Sequence, residues 1–138
     1  MDIVMSLVTI FVIFIAIVIL DYIWLGHITS KFIAREFGKN LVVLENNEYV
    51  SVDKKVGILT WLILALGVYA FVVSQYDSLL NISLMGALFG FVVYCVYDLT
   101  NLTFIKKYPR KFAIIDIIWG SFIGMSSSIV GFLFMTLF

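Results

Sequence analysis

Charge is scarce in this sequence. Only 13% of its 138 residues are Asp, Glu, Lys or Arg, about half the ~25% usual in soluble domains. So few polar residues cannot coat a soluble fold of this length, and 63% of the chain is hydrophobic. The nine acids and nine bases cancel, which leaves no global basic field to draw nucleic acid. Cysteine occurs once, as Cys95, so an intramolecular disulfide is excluded and thiolate metal spacing is absent. Proline also occurs once, and Pro109 falls where its fixed φ and missing donor suit a helix-ending turn. Residues 1–5 carry no Lys or Arg, and the run Ile3–Leu25 exceeds the ~7–15 residues of a signal-peptide core. That run is expected to be a retained helix rather than a cleaved leader.

What is present is long apolar sequence. A helix needs about 20 mostly apolar residues to span a bilayer. Four segments qualify: Ile3–Gly26, Val56–Gln75, Leu79–Ile105 and Phe112–Phe138. Many of their residues are β-branched, but an open sheet cannot satisfy its edges in lipid. The alternating ~10-residue strands of a barrel are also missing. The expected fold is therefore an all-α integral membrane protein, one domain over residues 1–138 built as a four-transmembrane-helix bundle. Its only substantial connection is Ile28–Lys55. There Phe32, Ile33 and Phe37 share one helical side and Gly38 is a natural stop, which predicts a short interfacial helix. The following stretch, residues 41–52, is expected to form a small hairpin.

Orientation follows from the bases. Lys31, Arg35, Lys39, Lys54 and Lys55 lie in the first connection; Lys106, Lys107, Arg110 and Lys111 lie in the third. Those two connections must share a side in a four-helix serpentine, so the charge pattern agrees with the helix count. The positive-inside rule makes that side cytoplasmic and puts the N-terminus and C-terminus both outside. The expected location is the cell membrane, multi-pass, with the basic connections snorkelling toward anionic lipids of the cytoplasmic face.

Three acids fall inside the apolar runs: Asp21, Asp98 and Asp116. Asp21 and Asp116 lie about one turn, and Asp98 about two turns, from the cytoplasmic ends of their helices. Asn101 is one turn beyond Asp98. An ionisable group at such depth is costly and faces a bundle interior, a cavity or a partner. No Lys or Arg lies in the runs, so a charge partner must come from the connections or from a bound cation. Three close carboxyls in a low dielectric cannot all stay charged without one, and Asp98, the deepest, is the expected proton carrier. The structural alternative is that the acids only bond helices together. Trp24, Trp61 and Trp119 lie at the same level, where tryptophan also marks membrane interfaces. Trp24 and Trp119 are candidate ligand contacts beside the acids. His27 lacks companion nitrogen or sulfur ligands, so no zinc-type metal site is expected.

Small residues mark the packing faces. Gly86 and Gly90 begin an i+4 stripe that continues through Tyr94 to Asp98. A second stripe runs from Asp116 through Gly120 and Gly124 to Ser128. Such residues let helix backbones approach closely, so both acids are expected on internal seams.

Three blocks carry a resemblance: Asp21-Tyr-Ile-Trp24-Leu-Gly26, Tyr97-Asp98-Leu-Thr-Asn101-Leu-Thr103, and Asp116-Ile-Ile-Trp119-Gly120. With the four-helix layout they resemble the membrane family catalogued as domain of unknown function 2177, over nearly the whole chain. The resemblance implies a fold and no activity, cofactor or partner. Asp21, Asp98, Asn101, Trp24 and Trp119 match its motif positions. The leading functional expectation is a transporter- or channel-like protein binding a cation, proton or small polar solute at the acid layer. Four helices make a thin bundle, so a homo-oligomer is expected with it. A membrane enzyme acting on a lipid or lipid-linked substrate is the second reading, although no nucleophile–base pair stands out. A structural or accessory subunit is the third.

Overall fold

The computed structural model describes residues 2–38, 44–45, 49–50 and 53–138. Helix α1 (Ile3–Ile23) continues into a π turn, Trp24–Ile28, and breaks at Thr29 before the short α2 (Ser30–Phe37). Strands β1 (Leu44–Glu45) and β2 (Tyr49–Val50) pair antiparallel, with Leu44 opposite Val50. The rest of the expected hairpin lies outside the described residues. Helix α3 (Lys54–Val68) also ends in a π turn, Tyr69–Val73. Helices α4 (Leu79–Phe104) and α5 (Arg110–Leu137) complete the chain.

The spans Ile3–Ile28, Lys54–Val73, Leu79–Phe104 and Arg110–Leu137 are each long and apolar enough to cross a membrane. Their outward faces carry Phe11, Leu62, Leu88, Ile118 and many similar residues in exposed positions. So continuous an apolar exterior suits hydrocarbon, not water. The helix starts are set by local chemistry. Asp53 accepts the backbone N–H groups of Lys55 and Val56 at 3.0 and 3.2 Å, and Ser78 accepts that of Asn81 at 3.3 Å. Both satisfy donors that a helix leaves open at its first turn. Pro109 stands just before α5, where its missing N–H costs nothing. Gly38 ends α2 with φ +69°, a conformation that favours glycine. Buried Ile33 and exposed Lys31 and Arg35 give α2 the two-sided character read from its sequence.

Helices α4 and α5 lie against each other along the glycine stripes. A Cβ on Gly90 would run into the Gly120 carbonyl, and one on Gly124 into the Gly86 carbonyl. A Cβ on Gly86 would stand 2.5 Å from Ser128 Oγ. Only glycine permits backbones this close. On the other side of α5, a Cβ at Gly131 would stand 2.7 Å from Ile13 Cδ1, so α1 nests there. Ile13, Ile17, Ala65, Val68, Val73, Trp119 and Ile123 form the core joining α1, α3 and α5. Buried Thr9, Ser127 and Ser128 satisfy their hydroxyls on carbonyls one turn back, at 2.8, 2.6 and 2.7 Å. They add no unmet polarity to the interior.

Candidate functional site

The glycine seam decides which acids meet. The stripes pass each other in antiparallel register, with Gly86 against Ser128, Gly90 against Gly120 and Gly124, and the Tyr94 ring over Gly120. One further turn along each helix brings Asp98 toward Asp116, within electrostatic reach of each other. Asp98 is fully buried and Asp116 nearly so. Asp116 also lies within Coulombic reach of Asp21, and Tyr94 within reach of all three acids.

Asp98 Oδ1 accepts the Tyr108 hydroxyl at 2.8 Å. Tyr108 reaches it from the α4–α5 connection, which turns back through the Tyr108 N–H to Ile105 carbonyl bond of 3.1 Å. Lys107, at φ +69°, occupies a left-handed conformation that lysine rarely adopts. The turn thereby points the next residue, Tyr108, into the bundle, where it is buried. Phe37 from α2 and Phe112 from α5 meet its ring edge-on at centroid distances of 5.4 and 6.1 Å. Burial, and then the bond to Asp98, push the Tyr108 hydroxyl above the ordinary tyrosine range, so it remains an O–H donor. Asn101 lies beside Tyr108 and stays partly exposed at the edge of the cluster.

Asp98 Oδ2 has no donor. Among the described residues it is the one buried side-chain nitrogen or oxygen without a hydrogen-bond partner. An ionised Asp116 cannot help, because a carboxylate offers only acceptors.

Asp21 is placed differently. Its Oδ1 accepts Trp119 Nε1 at 2.8 Å and its Oδ2 accepts Trp61 Nε1 at 2.7 Å. One carboxylate on α1 therefore ties down an indole from α3 and another from α5. Trp24, at the start of the π turn, stacks flat on Trp119 with centroids 4.3 Å apart and planes 2° from parallel. The three tryptophans thus form the wall of the acid layer. As a simple interfacial belt, Trp119 would face outward, but it is buried.

The structure brings together Asp98, Asp116 and Asn101 on one side of the layer, and Asp21, Trp24 and Trp119 on the other. Sequence reasoning left Trp61, Tyr94 and Tyr108 out of the candidate set. Tyr94 was legible as the stripe residue between Gly90 and Asp98. Trp61 and Tyr108 were signalled only by depth and by nearness to Pro109. Among the described residues, no group of three His, Cys, Asp or Glu side chains is arranged to hold a metal ion.

No curated protein and no solved structure matches the chain. A family model described as a predicted membrane protein, DUF2177, matches residues 6–133. With its four apolar spans and this match over nearly its full length, the chain belongs to the DUF2177 family of predicted membrane proteins.

Proposed function

We propose that the protein binds a proton, cation or small polar solute at the Asp98–Asp116 side of the acid layer, in a transporter- or channel-like role. The observation that carries this reading is Asp98 Oδ2, an acceptor buried beside a second carboxyl with no protein donor. Leaving such an oxygen unmet costs roughly 1–3 kcal/mol, and a proton or bound solute relieves that cost. The positive-inside rule places the layer near the cytoplasmic face of the cell membrane, with both termini outside and anionic lipid at the basic connections. A homo-oligomer would supply the pathway that four helices are too few to enclose.

The wall itself offers the test. Trp61 and Trp119 bond Asp21 and Trp24 stacks on Trp119, so the emission of the chain's three tryptophans reports on the acid layer. Titrating the protein in nanodiscs with H⁺, Na⁺, K⁺, Mg²⁺ and methylammonium should give a saturable emission change for at least one of them. The double variant Asp98→Asn/Asp116→Asn should abolish it. A flat response to all five would overturn the binding reading.

A structural or accessory role is the second reading, favoured by Asp21. With both oxygens taken by indoles, that carboxylate holds three helices together and needs no ligand.

A further inference from the structure

We propose that Asp98 and Asp116 hold one proton between them, carried on Asp116 and donated to Asp98 Oδ2. This deepens the binding reading above by naming the ligand as a proton, and it rests on that reading of the layer.

Donors and acceptors assign the positions. Asp98 Oδ1 already accepts a hydrogen bond from Tyr108 at 2.8 Å, so the geometry places Asp98 as the acceptor of the pair. Its Oδ2, fully enclosed, then needs a donor. The seam register leaves Asp116 opposite it, and a protonated carboxyl is the donor that an ionised one cannot be. With the proton on Asp116 the orphaned oxygen is satisfied. One negative charge is also removed from a pair that would otherwise repel at close range. This moves the expected carrier from Asp98, the deeper acid, to Asp116.

Among the described residues, the groups placed against the pair are acids, tyrosines and an amide, with no base. The groups facing the pair are Asp21 from α1, Tyr94 and Asn101 from α4, and Tyr108 from the connection. Asp21 has no oxygen left for the pair, since two indole N–H donors occupy both of its oxygens. Lys106, Lys107, Arg110 and Lys111 are exposed. The proton is the simplest cation this site can take.

Infrared spectroscopy tests it on the full chain in nanodiscs at neutral pH. Aspartate labelled with ¹³C at the side-chain carboxyl separates aspartic from glutamic signals. The wild type should show a protonated-carboxyl C=O band that moves on both ¹³C labelling and D₂O exchange, with the intensity of one aspartic acid per chain. The band should disappear in Asp116→Asn, persist unchanged in Asp21→Asn, and persist but shift in Asp98→Asn, where the amide oxygen replaces the acceptor. Absence of the band in the wild type would overturn the shared proton, and that measurement stands even if a variant fails to fold. A band that survives Asp116→Asn and vanishes in Asp98→Asn would overturn the assignment to Asp116. Failure of the wider reading looks different. A saturable metal-cation response without the band sinks only the shared proton. The band together with a flat tryptophan response leaves the proton as a fixed link between helices and sinks the exchangeable binding of the wider reading.

Discussion

Trp61 Nε1 donates to Asp21 Oδ2 at 2.7 Å, joining residues 40 positions apart in the chain into one unit. Trp119 completes the arrangement from α5. Removing either indole donor by Trp→Phe should cost about 1 kcal/mol, the scale of helix–helix hydrogen bonds in membranes, beyond the loss from the smaller ring. Asp21→Ala strands both donors, the buried Trp119 and the half-buried Trp61, and should be the most damaging, at roughly 1–3 kcal/mol for the buried one and less for the other. Asp21→Asn, which keeps one acceptor, should fall between. Thermal unfolding in detergent reads the order; an Asp21→Ala protein as stable as wild type would show that the clamp contributes nothing.

Glycine substitutions separate the seam from the bundle surface. Gly90→Ala drives a methyl into the Gly120 carbonyl, whereas the nearest atom to a Cβ at Gly26 is 4.0 Å away on Tyr22. Overpacking of this kind costs about 1–3 kcal/mol. Gly90→Ala should therefore lower thermal stability clearly, and Gly26→Ala should leave it nearly unchanged. Equal melting temperatures for the two variants would place the seam elsewhere.

The four helices were legible because the run length needed to cross hydrocarbon is a strong signal, and the seam because glycine spacing matches the helical repeat. The shared depth of Asp21, Asp98 and Asp116 was legible for the same reason: rise along a helix is fixed by counting residues. Rotation between helices is not. Nothing in the spacing of Trp61 tells that α3 turns it toward Asp21. Tyr108 was hidden more deeply, since its inward aim depends on a left-handed Lys107 that no lysine advertises. The π turns at Trp24–Ile28 and Tyr69–Val73 likewise have no sequence mark.

Alkaline pH offers a reading of Tyr108. Its hydroxyl is held above the ordinary tyrosine range in the folded protein, so near and above pH ~10 the unfolded chain loses this proton while the folded chain keeps it. The folded state then binds more protons, and stability falls as pH rises. Tyr108→Phe keeps a ring for Phe37 and Phe112 but removes that titration. Melting temperature should drop less steeply between neutral pH and pH ~11 in the variant than in wild type. Parallel slopes would show that Tyr108 ionises as freely as in solution.

Orientation is open to labelling. In a Cys95→Ser background, a cysteine at Ser78 should react with an impermeant maleimide added outside intact cells. A cysteine at Lys107 should react only after the membrane is opened. The reverse pattern would invert the topology and move the acid layer to the outer face.

The central claim, that the acid layer is a binding site on a path across the membrane, is tested most directly by flux. Liposomes loaded with a pH-sensitive dye and carrying the purified protein should dissipate an imposed pH step faster than protein-free liposomes. Asp116→Asn and Asp98→Asn proteins, shown to be folded by thermal unfolding, should leave the step at the protein-free rate. Wild-type liposomes that hold the step as well as empty ones, or variants that dissipate it as fast as wild type, would contradict the account.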